Sequence, residues 1–253
     1  ERIEAMPHAI EYDLSYTDGR TERVNVEKAL LSVGRIPNLE NLGLEHIGLE
    51  LDPITRLLTV DGTRTAQPHV HVVGDASGSN MLVNLGEMEG RHTVERIFGL
   101  QPPALSYANV SNIMFLDPEV AGVGLNEQEC RKRGIPYRVA RIDYACLARA
   151  IAMRRTQGFF KVLVTDDADM RIIGMRAVGE HASSAIQAVA LMMQQGIGIH
   201  ALVQLVHPHP SITEGVQECA RMLMGNSIFK SPVFGDKMQC YRWTPSPAAE
   251  KAA

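Results

Sequence analysis

Only four of the 253 residues are cysteine, and no two of them stand close together. Cys130, Cys146, Cys219 and Cys240 match neither a zinc ribbon nor a C-x-x-C redox pair. In a chain this long they do not make the dense framework of a secreted, disulfide-stapled domain. Four separate thiols in a reducing compartment are the plain reading, and the cytoplasm is the expected location. Long apolar runs are missing too. The stretch Ala185 to Met193 is far short of the roughly 20 residues that cross a bilayer. Glu1 to Met6 carry charges and no apolar core segment, so no signal peptide is expected there. Position 1 is not methionine, as after truncation or processing. A basic cluster is also lacking: 25 Lys and Arg are interspersed with 29 Asp and Glu. That balance speaks against a nucleic-acid or membrane partner. No internal repeat is present.

What is present can fold. The apolar fraction of 45% is that of a globular chain with a real core. Residues 1–35 read as short strands. Ala9 to Tyr16 alternates, Thr17-Asp18-Gly19-Arg20 is a hairpin turn, and Val24 to Val33 is a second apolar run. Gly34-Arg35-Ile36-Pro37-Asn38 breaks the pattern and suggests a crossing between domains. Two or three strands with no helix cannot bury both faces, so the rest of their domain is expected upstream.

The next block, 38–103, holds a short strand at Leu57 to Val60 and an apolar strand, Pro68 to Asp75, closing on Gly-Asp. A helix follows over Met81 to Phe98, with Leu82, Leu85, Val94 and Ile97 as its buried face. Gln101-Pro102-Pro103 is a linker. Residues 104–230 read as an α+β domain. Its strands are expected at Val110–Phe115, Val120–Leu125, Tyr137–Ile142, Phe159–Thr165 and Arg171–Val178. Its helices are expected at Asn126–Arg133, Ala182–Gln195 and Ser211–Met224. Ile186, Val189, Ala190 and Met193 share one helical face, and Gly196 is a C-cap. Residues 231–253 read as a tail, polar and Pro-rich beyond Trp243.

Three elements could carry chemistry. A strand ending in Gly74-Asp75 sets a carboxylate at a sheet's C-terminal edge, where open α/β sheets bind ligands; Gly-Asp is equally an ordinary turn. Asn80-Met81-Leu82-Val83-Asn84, at a helix start, can present N–H groups to an electron-rich partner, or can simply be a capped helix. His207-Pro208-His209-Pro210-Ser211-Ile212-Thr213-Glu214 has two readings. It is a stapled helix start with Glu214 at the capping-box spacing from Ser211, or a His–Glu dyad in which the carboxylate orients an imidazole. A metal site there lacks a third ligand. The remaining histidines are scattered.

In this order, these elements resemble the class I pyridine-nucleotide disulfide oxidoreductases. Ala29 to Asn38 is similar to the segment leaving that family's NAD(P) domain, and Pro68 to Asp75 to its second FAD motif. Ile113 to Gly124 is similar to the opening of its dimerisation domain. Gly158 to Lys161 and Ile173 to Gly179 match later strands, and His207 to Glu214 resembles its H-x-H-P-[TS]-x-x-E signature. The resemblance runs over nearly all of residues 24–230. Its expected fold is α/β plus α+β: the end of a nucleotide-binding domain (1–37), the C-terminal segment of an FAD domain (38–103), and a dimerisation domain (104–230). It also implies that Asp75, with Gly74, binds the FAD ribityl chain. Met81, Leu82, Val83 and Asn84 would run along the flavin, and Gly34 would lie by the nicotinamide cofactor. His209 would be the acid/base and Glu214 its partner, with a cis His209–Pro210 bond.

Within the family the pattern resembles the dihydrolipoamide dehydrogenases most. Asn84 stands where they usually carry His, and Ser211 where they usually carry Thr. A Cys-Cys tail, as in mercuric reductases, is absent, and His-Pro-His-Pro fits glutathione reductases less well. Neither G-x-G-x-x-G fingerprint nor a C-x-x-x-x-C disulfide is present; in the family these lie upstream. The resemblance thus implies half of an FAD- and NAD-dependent enzyme, inactive alone. The intact enzyme would be a homodimer with the Ile186/Val189/Met193 face at its interface. Its substrate would be a small-molecule or lipoyl-domain dithiol, in reach of a 2-oxo acid dehydrogenase complex. The alternatives are a stand-alone dimerisation or binding module derived from the same family, or a related disulfide reductase of the glutathione- or mercuric-reductase kind.

Overall fold

A computed structural model describes residues 3–6, 9–78, 80–229 and 233–245. The chain divides into two compact units, residues 1–105 and 106–253.

In the first unit, strands β1 (Ile3–Met6), β2 (Ala9–Ser15) and β3 (Thr21–Val26) form an antiparallel meander. The predicted turn closes it. Tyr16 N–H donates to Arg20 O at 2.9 Å and Gly19 N–H to Tyr16 O at 3.0 Å. The second apolar run ends its ladder at Val26, earlier than expected. Leu30, Leu31 and Val33 stay outside any strand and are exposed. An apolar run becomes a strand only where a neighbour offers backbone partners.

The same reason corrects two further strands. Leu57–Val60 and Pro68–Val73 are extended loop, not ladder. Their backbone groups pair locally, as in Val72 N–H to Thr63 O at 2.8 Å. Gly74–Ser77 is one turn of 3-10 helix. Helix α1 (Val83–Ile97) begins two residues later than expected, with Leu82 at its N-cap. Its buried face is Leu85, Glu89 and Thr93; Val94 and Ile97 are exposed. Polar contacts rather than apolar periodicity set that face. Thr93 Oγ1 meets Thr63 Oγ1 at 2.7 Å, and Glu89 Oε2 accepts from Gly74 N–H at 2.6 Å. A small core of Leu39, Leu49, Leu58 and Val72 completes the unit.

The second unit is α+β. Its strands are β4 (Asn112–Met114), β5 (Val120–Gly124), β6 (Tyr137–Asp143), β7 (Phe159–Thr165), β8 (Ile172–Val178) and β9 (Met238–Trp243). They form one antiparallel sheet in the order β4-β5-β8-β7-β6-β9. The helices are α2 (Glu127–Lys132), α3 (Ala148–Ala152), α4 (Ala182–Gln195), α5 (His200–Gln204) and α6 (Glu214–Leu223). The strands alternate with period two. Ala140, Ile142, Phe160, Val162 and Ala177 meet α4 and α6 on one face. Tyr137, Val139 and Leu163 meet Cys130 of α2 on the other. Both faces are therefore covered, and side chains such as Phe160, Ile142 and Tyr144 are fully buried.

Three expectations change here. β9 lies in what reads as a tail, and it pairs with β6 from Met238 to Trp243. The Ile186/Val189 face of α4, expected at a dimer interface, is buried inside the unit against β5 and β8. An amphipathic helix first satisfies its own sheet. α6 starts at Glu214 rather than Ser211, with Thr213 at the N-cap.

Candidate active site

The loop after α5 delivers His209 to the start of α6. Gln217, buried on α6, donates to Leu205 O at 2.8 Å and fixes the loop's root. Gly215 lets α6 sit close on the sheet, since a Cβ there would meet Phe160 Cδ2 at 2.6 Å. That approach carries the neighbouring Glu214 into place. His209 Nδ1 lies 2.9 Å from Glu214 Oε1, and Ser211 N–H donates to Glu214 Oε2 at 2.7 Å. Half of the expected capping box therefore forms: the carboxylate takes the Ser211 N–H, while the Ser211 hydroxyl turns to Thr213 Oγ1 at 3.1 Å. The His209–Pro210 bond is cis. His207 faces elsewhere, with Nδ1 3.2 Å from Leu205 O.

Burial works against the charge on Glu214. The Ser211 amide and the His209 ring outweigh it and hold the carboxyl below its ordinary range. The carboxylate stays ionised near neutral pH and fixes which ring nitrogen carries the proton. His209 is 72% exposed on its side chain and Glu214 29%. The imidazole reaches outward while its anchor sits in the fold. Beside it opens a cleft of about 260 Å³, walled by Leu147, Ile151, Ile228 and Phe229. Glu218 and Arg221 also line it. The motif reading missed both, because a buried carboxylate one turn beyond Glu214 leaves no mark in hydrophobic periodicity.

The first unit gathers a second group. Gly74 has φ 63°, and a Cβ on Gly86 would come within 3.0 Å of Gly74 Cα. These two glycines let α1 press against the Gly74-Asp75 turn. Glu89 clamps the turn through the Gly74 N–H, and Arg35 Nη1 stands 3.4 Å from Asp75 Oδ2. Sequence reading missed both Glu89 and Arg35. No side chain caps α1, and while the Leu82 N–H donates to Asn80 O at 2.8 Å, the first helical N–H groups, of Val83 and Asn84, can face a ligand. Val83 and Asn84 are exposed, and Met81 and Leu82 half-buried. An exposed carboxylate beside free helix amides offers an acceptor for hydroxyls and donors for an electron-rich ring edge, which fits FAD. Gly34, at φ 129°, is exposed. Among the described residues no cluster of three or more His, Cys, Asp or Glu could hold a metal ion, and no helix is long and apolar enough to cross a membrane.

Residues 1–90 match the pyridine nucleotide-disulphide oxidoreductase family and residues 110–220 its dimerisation domain, so the chain belongs to that family. It is 32% identical over 211 residues to dihydrolipoyl dehydrogenase of Geobacillus stearothermophilus, covering 83% of this chain and 44% of that one. It is 33% identical over 213 residues to dihydrolipoamide dehydrogenase of Chaetomium thermophilum, covering 83% and 41%. LpdA from Mycobacterium tuberculosis shares the fold at a TM-score of 0.77 and 28% identity, over 88% of this chain and 47% of that one. RclA from Escherichia coli, an HOCl-induced flavoprotein disulfide reductase, shares it at 0.76 and 21% identity, over 88% and 50%. The chain spans less than half the length of these curated relatives. Intact enzymes of the family carry FAD and NAD.

Proposed function

We propose that this chain is the C-terminal part of a homodimeric dihydrolipoamide dehydrogenase, with His209 as its acid/base. The observation that carries the reading is the 2.9 Å contact between His209 Nδ1 and Glu214 Oε1. With Nδ1 engaged, Nε2 is the nitrogen left to take a proton. A dithiol attacks as thiolate, and a free thiol has a pKa near 8.5. An imidazole is a suitable base for it. Glu214 holds the ring in one tautomer and stabilises the charge that the ring gains. FAD, when bound, supplies the electron acceptor between the dithiol and NAD. Asp75 would hold its ribityl hydroxyls, and the amides of Val83 and Asn84 its ring edge. Gly34 is assigned to the nicotinamide side by resemblance alone. The reacting disulfide is not among this chain's four cysteines, so the chain by itself is expected to be inactive.

The test uses the intact flavoenzyme. His209→Ala should slow dihydrolipoamide oxidation by about 10²- to 10⁴-fold, the usual weight of general acid–base catalysis. Glu214→Gln should cost less, and flavin content should not change. Full turnover in His209→Ala would overturn the assignment. Asp75→Ala should lower FAD retention on dialysis, and unchanged flavin content would remove Asp75 from the site.

A further inference from the structure

Between α5 and α6 the chain that carries His209 has little of its own to hold it. Among the described residues, no backbone N–H or C=O of 206–210 enters a backbone–backbone hydrogen bond. Packing does not hold the loop either, since Leu205, Val206, Pro208 and Pro210 are exposed. Its two ends are gripped instead, and both grips come from α6. At the far end Ser211 N–H donates to Glu214 Oε2 at 2.7 Å. At the near end Gln217 Nε2 donates to Leu205 O at 2.8 Å and stands 3.4 Å from Leu202 O and from Val203 O. His207 Nδ1 lies 3.2 Å from the same Leu205 oxygen.

Glu214 and Gln217 are three residues apart on α6 and so share a face of it. The helix thus fixes the separation of the two grips. Gln217 is 5% exposed, between Val216 and Glu218 in the most buried stretch of α6. A buried amide is costly unless it is hydrogen-bonded, and an apolar side chain would fill the space at no such cost. Its donors go where donors are lacking. The last carbonyls of a helix have no partner within it, and those of α5 are what Gln217 meets. A carbonyl oxygen has two lone pairs, and Leu205 O has Gln217 and His207 beside it to occupy them. His209 stands on a span pinned at Leu205 and at Ser211.

We propose that Gln217 is a positioning residue for His209: by holding Leu205 O it sets where the imidazole stands between Glu214 and the dithiol. The proposal rests on the acid/base reading of His209 and adds a second fixed point to it. Gln217 acts through the loop and takes no part in the proton transfer. Without its grip the loop is held at the Ser211 end alone. The ring then spends time in places from which transfer is slow, and a misplacement of about 1 Å can cost about 10²-fold.

The test is a double-variant cycle on the intact flavoenzyme. Gln217→Met keeps the length of the side chain and removes its donor. It should lower kcat for dihydrolipoamide oxidation about tenfold and leave KM within about twofold. NADH oxidation by ferricyanide uses the flavin and no dithiol, and its rate should not change. In a His209→Ala background the loss from Gln217→Met should shrink to less than about twofold, because no ring is left to place. Unchanged kcat in Gln217→Met, a change confined to KM, an equal loss of ferricyanide activity, or an undiminished loss in the His209→Ala background would each overturn the proposal. All four leave the acid/base reading standing. Full turnover in His209→Ala alone would sink that reading, and the proposal with it. If Gln217→Met does not fold, Gln217→Asn takes its place in the same cycle with the same expectations, since its amide falls one methylene short of Leu205 O.

Discussion

Residues 106–253 and residues 1–105 come from one chain, yet they are built to different standards. The later unit covers both faces of a six-stranded sheet and leaves Tyr137, Tyr144 and Phe160 fully buried. The earlier unit has a three-stranded meander, one long helix and a small cluster on Leu39, Leu49, Leu58 and Val72. It also leaves Leu30, Leu31 and Val33 exposed in a row. The contrast teaches that apolar patterning is read correctly where its partners lie within the same chain. Where the described residues offer no such partner, the same pattern is loop.

The contrast can be broken by mutation. Phe160→Ala removes a ring packed 5.0 Å from Tyr144 and should cost about 3–5 kcal/mol. Trp243, the single tryptophan, stacks on Tyr137 in the same unit. Its fluorescence in urea therefore follows that loss directly. Leu58→Ala in the thinner cluster should cost about 2 kcal/mol, the low end for such truncations. Amide exchange at Asp52, whose N–H donates to Leu57 O, reads it. If the two substitutions cost the same, the difference between the units is not one of packing.

Smaller changes sharpen the picture. Asn126 and Glu129 make a full capping box at α2, each bond 2.8 Å. Asn126→Ala should cost about 1 kcal/mol in the same urea experiment. The smallest effect is a pH dependence. Asp166, 3% exposed on its side chain, receives Arg138 at 2.9 Å and Arg242 at 2.6 Å, tying β6 to β9. Burial raises its pKa, but the two guanidiniums prevail and hold it below the ordinary value. A carboxyl with a depressed folded pKa stabilises above its unfolded pKa, about 3.9, and loses that stabilisation as pH falls through the folded value. Acid titration of Trp243 emission should therefore show a loosening of β9 below about pH 4. Asp166→Asn should remove that step, and an unaltered titration in the variant would assign it elsewhere.

Legibility cut across that division, since the hairpin turn of the earlier unit was readable and β9 of the later one was not. Phe159–Thr165 and Ala182–Gln195 fall where alternation and helical spacing put them. β9 was hidden because Met-Gln-Cys-Tyr-Arg-Trp buries only Met238 and so carries an edge strand's weak pattern. The face of α1 was misjudged because Glu89, a charged residue, is its most buried member. Its role, holding the Gly74 N–H, exists only in three dimensions. The pairing of His209 with Glu214 follows a motif, whereas Arg35 beside Asp75 and Glu218 in the cleft do not.

The six-stranded sheet is open, and its two ends differ. On β9 the edge carries Arg242, whose charge discourages another strand from adding there. At the other end β4 is three residues long and runs into Met114, Phe115 and Leu116, which are 55%, 78% and 60% exposed. Its shortness limits backbone pairing, but the greasy triplet beside it invites self-association of the 253-residue chain during expression and storage. Replacing Phe115 with lysine would put a charge beside that edge and should raise the yield of dispersed protein.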